Sequence, residues 1–138
     1  MKILGQHLIA EFSGCDHKVL NDTDLLEQHL NEAVRRSGAT IVRSVFHRYN
    51  PQGVSGVVVI AESHFSIHTW PEYGYAAVDF FTCGQAVDPN LALDYMKEQL
   101  GASQVKVKTL QRGIPSDNDE IIAHKPTDIS QPTTARAN

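Results

Sequence analysis

The chain has 138 residues, 41% of them hydrophobic, with 12 Lys+Arg against 16 Asp+Glu and a net charge of −4. This length predicts a domain with its own core, and the scattered cations exclude a nucleic-acid footprint. No apolar run reaches bilayer length and no signal-like segment opens the chain, so no membrane is expected and the cytoplasm is the predicted compartment.

Residues 3–12 alternate, with Leu4, Leu8, Ala10 and Phe12 on one side, and predict a strand. Asp24 is the predicted cap of a helix, with Glu27 as its box partner. Leu25, Leu26, Leu30, Ala33 and Val34 form its apolar stripe, and Gly38 is its stop. Residues 41–49 are rich in β-branched and aromatic side chains, hence a strand. Asn50-Pro51-Gln52-Gly53 is turn chemistry. Residues 57–60 are apolar on both faces and mark a central strand, and 65–70 read as another. Pro71-Glu72-Tyr73-Gly74 then turns the chain into a strand over 75–83. Asp88-Pro89 opens a second helix, Asp as cap and Pro at its first position, with Leu91, Tyr95, Met96 and Leu100 buried and Gly101 at its end. Val105 and Val107 alternate with Lys106 and Lys108 in a last strand. The polar, Pro/Thr-rich residues that follow predict a disordered tail over 116–138, leaving a single domain over 1–115.

The expected order is β-α-β-β-β-β-α-β. Short links between strands require antiparallel neighbours, because parallel crossovers need a dozen or more residues. Two helices cover only one face of such a sheet. The expected fold is therefore α+β, a two-layer α/β sandwich with a mainly antiparallel sheet and helices on one face. A strand apolar on both faces predicts that the second face meets another copy, as a homodimer.

Chemistry concentrates in Glu62-Ser63-His64-Phe65-Ser66-Ile67-His68-Thr69-Trp70-Pro71-Glu72, followed by Cys83. A serine behind an acidic residue, a downstream histidine and a thiol are the groups needed for backbone self-cleavage at serine. With Gly53-Val54-Ser55-Gly56-Val57-Val58-Val59-Ile60 upstream and Asp79-Phe80-Phe81-Thr82-Cys83-Gly84 downstream, the segment resembles the processing site of the small prokaryotic S-adenosylmethionine decarboxylases. Length and element order agree with that family from Lys2 to Gly113.

The resemblance implies a chain cut between Glu62 and Ser63, into 1–62 and 63–138, with Ser63 converted to a pyruvoyl group. The Ser63 hydroxyl attacks the preceding carbonyl, and the oxyanion so formed needs hydrogen-bond donors. The resemblance offers Ser55 as one. Collapse gives an ester, and a base then removes the Ser63 α-proton, so that the ester leaves and the residue hydrolyses to pyruvoyl plus ammonia. His68 suits the base because histidine titrates near neutrality. A strained turn before Phe65 would help drive the first step. The pyruvoyl carbonyl would form a Schiff base with the substrate amine and act as electron sink, in place of pyridoxal phosphate. Cys83 fits the donor that reprotonates Cα, since an ordinary thiol, with a pKa of about 8.5, carries its proton at neutral pH. Tyr49 and Trp70 offer aromatic faces to a sulfonium, Glu72 offers acceptors to ribose or amine, and a partner copy contributes pocket residues.

Other chemistries fit less well. His64 and His68 on a strand stand about 13 Å apart, too far for one zinc. Cys15-Asp16-His17 lacks a fourth ligand, and Cys15 and Cys83 match no zinc spacing and are expected as reduced thiols. No metal is therefore expected. Gly53-Val54-Ser55-Gly56 lacks the P-loop Lys-Ser/Thr ending, and Ser63 lacks the Gly-x-Ser-x-Gly elbow. The expected function is conversion of S-adenosylmethionine to S-adenosylmethioninamine plus carbon dioxide, for spermidine synthesis. The same machinery could instead serve ornithine or arginine, which substrate turnover would distinguish. A non-catalytic binding module would remain uncut.

Overall fold

The computed structural model describes residues 3–83 and 86–114, so the tail expected over 116–138 lies outside the described residues. Alternation in the first segment produces β1 (Gly5–Ser13), with Leu8, Ala10 and Phe12 buried. Leu4 precedes this strand and is 40% exposed, although the alternation placed it with the buried set. Asp16 caps a four-residue helix, α1 (His17–Leu20), by accepting from the Lys18 and Val19 amides. A helix this short leaves no periodicity to read.

Helix α2 (Thr23–Ser37) follows directly, and its cap is Asp22 rather than the expected Asp24. Asp22 keeps extended backbone angles and accepts from the Leu25 amide, which an N-cap must do, whereas Asp24 already lies in the first turn. Leu26, Leu30, Ala33 and Val34 are its buried stripe, and Gly38 ends it at φ +88°, a left-handed conformation that costs a glycine little. Helix α3 (Pro89–Leu100) has the expected Asp88 cap and Gly101 stop. Its buried stripe is Ala92, Leu93, Met96 and Leu100, while Leu91 is 50% exposed, one position out of phase with the stripe.

The remaining strands are β2 (Ile41–Arg48), β3 (Val54–Ile60), β4 (Ser63–Trp70), β5 (Tyr75–Thr82) and β6 (Gln104–Arg112). They join β1 in one six-stranded sheet of order β2-β3-β4-β5-β1-β6, with every neighbouring pair antiparallel. Residues 57–60 do lie in an interior strand. A 3-10 turn, Pro71–Tyr73, joins β4 to β5, ending at left-handed Gly74.

Both long helices pack on the same face, over Val58, Ile60, Phe65, Ile67, Val78 and Phe80. The architecture is thus the expected α+β two-layer sandwich. The other face presents the intervening residues, among them His7, Glu11, Ser55, Val57, His64, Ser66, His68, Asp79 and Phe81. Val45 and Val59 on that face are 55% and 40% exposed. Among the described residues no helix is long and apolar enough to cross a membrane.

Candidate active site

The hairpin between β3 and β4 turns at Ala61-Glu62, and Ser63 leaves it with φ +144°. Ser63 is the one non-glycine residue among those described with positive φ, a conformation that a side chain makes costly, by about 1–3 kcal/mol. Such strain persists only where the surroundings fix it, and both flanks of Ser63 are fixed. Before it, the Ala61 amide donates to the Thr40 carbonyl at 2.9 Å, and the Thr40 amide donates to Glu62 Oε1 at 3.1 Å. The Cys83 amide donates to the Glu62 carbonyl at 2.9 Å. That last bond joins the acceptor side of the 62–63 peptide to the residue carrying the thiol. It polarises the carbonyl that a Ser63 hydroxyl would attack, and it stands where charge would develop on the oxygen.

After Ser63, the outward-facing His64 is held by Asp79. Asp79 Oδ2 accepts from His64 Nε2 at 2.9 Å and from His7 Nε2 at 2.6 Å, and Oδ1 accepts from the Ser66 hydroxyl. Arg112 donates to His7 Nδ1 at 3.1 Å, so His7 carries its proton on Nε2 and gives it to Asp79. One carboxylate thereby ties β1, β4 and β5 together beside Ser63, and Arg112 adds β6. His7, His64 and Asp79 each offer one ligand atom within 4.8 Å of the others, a grouping a cation could use. The proton that Arg112 fixes on His7 Nε2 points into that space, and a metal would have to displace it.

His68 stands elsewhere. It lies five residues further along β4, about 17 Å from Ser63 at the rise of a strand. His68 Nδ1 and Ser55 Oγ are 2.8 Å apart across the β3–β4 pair. If Nδ1–H donates to Ser55, Nε2 keeps a lone pair for taking a proton. These two line a cleft of about 300 Å³ whose walls also include Tyr49, Trp70 and Glu72. All four residues picked from the sequence for substrate contact therefore share one cavity with the proposed base. A larger polar depression of about 740 Å³ adjoins it, sharing Gln52 and Glu72 but lined otherwise by groups such as Lys18, Asp24 and Arg48. It has no Phe, Tyr or Trp wall, whereas the smaller cleft has Tyr49 and Trp70 and so better suits a cationic substrate.

One fold thus presents two separated half-sites, a strained serine beside a thiol and an aromatic cleft with a Ser–His pair. The family model described as S-adenosylmethionine decarboxylase matches residues 6–113, which contain both. The chain belongs to the S-adenosylmethionine decarboxylase family. It is 56% identical over 124 residues to the S-adenosylmethionine decarboxylase proenzyme of Thermotoga maritima, covering 86% of this chain and 95% of that one. The proenzyme of Thermosipho africanus is 57% identical over 113 residues, 82% of this chain and 87% of the relative. The crystal structure of the adenosylmethionine decarboxylase from Aquifex aeolicus superposes with a TM-score of 0.78 at 36% identity, covering 86% of this chain and 98% of that one.

Within this family member, the fold brings Glu62, Ser63 and Cys83 together and gathers Tyr49, Ser55, His68, Trp70 and Glu72, but it holds the two groups apart. Sequence reasoning missed Asp79, His7 and Arg112, whose only signal was an acidic residue on the outward face of a strand otherwise rich in Ala, Val and Phe. Burial pushes the Asp79 carboxyl up, but hydrogen bonds from Ser66, His64 and His7 outweigh it and hold the pKa below the usual carboxylate range. Stability tied to such a group is present above the ordinary carboxylate value and lost as pH falls through the lowered one. Asp79→Asn should therefore destabilise the fold by about 1–3 kcal/mol at neutral pH. Its deficit in thermal melts against wild type should shrink once the pH drops below about 4. A deficit unchanged down to pH 3 would show that the charge on Asp79 is not what stabilises the network.

Proposed function

We propose that this chain cleaves itself between Glu62 and Ser63, converts Ser63 to a pyruvoyl group, and then decarboxylates S-adenosylmethionine to S-adenosylmethioninamine. The product would serve aminopropyl transfer in spermidine synthesis, in the cytoplasm. The observation that carries the reading is Ser63 itself, a hydroxyl-bearing residue held at φ +144° with the preceding carbonyl already bonded to the Cys83 amide. Relatives named as proenzymes support it, since a proenzyme must be processed.

In the first step the Ser63 oxygen bonds to the Glu62 carbonyl carbon, and the carbon–nitrogen bond breaks. The hydroxyl proton passes to the nitrogen, and release of the strained peptide favours the ester. A base must next take the Ser63 α-proton so that the Glu62 carboxylate departs. The Ser63 position fits the resulting group, because the cut frees the end of β4 while Thr82 and Cys83 stay beside it across the sheet. Once formed, a pyruvoyl group supplies an electron sink for the electrons released with carbon dioxide. The Cys83 thiol stands at the same end of the sheet and can return a proton to the substrate carbon. The aromatic faces of Tyr49 and Trp70 suit a sulfonium cation, and Glu72 suits the ribose hydroxyls or the amine.

His68 cannot reach Ser63 of its own chain across about 17 Å of strand. The reading therefore includes a homodimer, in which the open sheet face of each copy covers that of the other. A two-fold axis there sets the Ser63 end of one chain against the 300 Å³ cleft of its partner, twice over. Exposed Val59 and Trp70 on the same face supply apolar area for the contact.

Denatured intact-mass measurement tests the reading. Two chains are expected, residues 1–62 and a second beginning at former Ser63 that is lighter by one ammonia than hydrolysis alone predicts. A single chain of full mass after prolonged incubation would refute self-processing. The processed protein should release carbon dioxide from S-adenosylmethionine far faster than from ornithine or arginine, and the reverse order would overturn the substrate assignment.

A further inference from the structure

Thr82 is the last residue of β5, and it is 2% exposed with its hydroxyl oxygen buried and without a hydrogen-bond partner. A buried orphan hydroxyl weakens a fold, and valine would fill the same β-branched volume without that cost. The apolar face on which Thr82 lies offers no reason for the oxygen. Its position offers one, because Thr82 is the cross-strand partner of Ser63.

The geometry of that pair is specific. The bond from the Cys83 amide to the Glu62 carbonyl makes residues 62 and 83 a hydrogen-bonded rung. Rungs alternate in an antiparallel ladder, so Ser63 and Thr82 form the close, non-hydrogen-bonded kind, with Cα atoms about 4.5 Å apart. On its other edge Thr82 faces Gln6 of β1, which pins it from both sides. A hydroxyl held rigidly in this way can be reached by the Ser63 hydroxyl through rotation of the serine side chain. Among the described residues two other buried side-chain atoms lack partners, Thr23 Oγ1 and Asn31 Oδ1, and neither is paired with a residue of the site.

We propose that Thr82 is a positioning residue for self-cleavage, accepting the Ser63 hydroxyl's hydrogen bond in the rotamer that aims the serine oxygen at the Glu62 carbonyl carbon. The inference rests on the self-processing reading. Thr82 neither gains nor loses a proton. The new bond joins Ser63 Oγ to the Glu62 carbon, the broken bond is that carbon to the Ser63 nitrogen, and the hydroxyl proton ends on the nitrogen. Thr82 restricts the serine to the reactive orientation, and its oxygen is satisfied only in that conformer. The ground state forgoes that bond, which is how a violated packing rule marks a functional position.

Thr82→Val and Thr82→Ser test this, alongside wild type, as freshly made full-length chains. The fraction cut at 62–63 is followed over time by denatured mass, and thermal melts are recorded on the same samples. Thr82→Val should melt at or above the wild-type temperature and yet be cut at least about tenfold more slowly, as loss of orientation at a reacting group predicts. Thr82→Ser, which restores the hydroxyl with less packing, should be cut at close to the wild-type rate despite a lower melting temperature. Thr82→Val cut at the wild-type rate would overturn the proposal. So would cutting rates that follow melting temperature across the pair, because that is the behaviour of a residue with a packing role alone. Failure of wild type to be cut would refute the self-processing reading itself, which is a separate outcome.

Discussion

Ser63→Ala is expected to remain one uncut chain of full mass and to show no decarboxylation of S-adenosylmethionine at any incubation time. The loss should be complete rather than graded, because the same residue serves twice in the proposed mechanism. The hydroxyl would be the nucleophile of the cut, and the residue's own carbon skeleton would become the carbonyl that the reaction requires. The fold should survive, since alanine keeps the Cβ that makes φ +144° costly and the bonds pinning Glu62 and His64 come from their own atoms. A circular dichroism melt close to wild type would separate lost chemistry from lost structure. Cys83→Ala should differ in an informative way. The group that Cys83 offers to the Glu62 carbonyl is its backbone amide, which alanine retains, so cutting should proceed. Turnover should then fall by about 10²–10⁴-fold, the usual value of a positioned proton donor. Decarboxylation by Ser63→Ala would end the assignment of Ser63, and full turnover by Cys83→Ala would remove the thiol from the mechanism.

What the sequence disclosed and what it withheld divide along one physical line. The Glu62-Ser63 pair, the Gly38 and Gly101 helix stops and the alternation of β1 are local, and one stretch of chain suffices to read each. The cap of α2 was misplaced by two residues because Asp22 and Asp24 are both good caps, and only the backbone entering from α1 decides between them. Register was beyond reach altogether. His7 and Asp79 are separated by 72 positions, and nothing in either segment says that they share a hydrogen bond. The same limit hid Thr82, which reads as an ordinary strand residue until its pairing with Ser63 and its burial are known. It also hid the division of the site. Glu62, Ser63 and His68 lie within seven residues and look like one cluster, but a strand spreads them along its length, and alternation sets His68 on the face opposite to Phe65 and Ile67.

That separation leads to the second large effect, cutting in trans. Ser63→Ala and His68→Ala homodimers should each remain uncut, the first for want of a nucleophile and the second for want of a base. Mixing differently tagged chains under conditions that exchange subunits should restore cutting, and only in the His68→Ala chain. In the mixed dimer the intact Ser63 of that chain meets His68 of the partner subunit, while the other half-site lacks both groups. With equal amounts and free exchange, about half of the His68→Ala chains occupy mixed dimers at any one time, and the cut fraction should rise beyond half as exchange continues. The tags make the readout unambiguous, because denatured mass identifies which chain has been split. The five residue steps of extended strand from Ser63 to His68 cannot be closed by any side-chain rotation, and the hydrogen-bonded register of β4 with both neighbours prevents the strand from folding back. Cutting within His68→Ala homodimers would remove His68 as the base. Absence of cutting in verified mixed dimers would mean that the two half-sites are not joined across the open sheet faces.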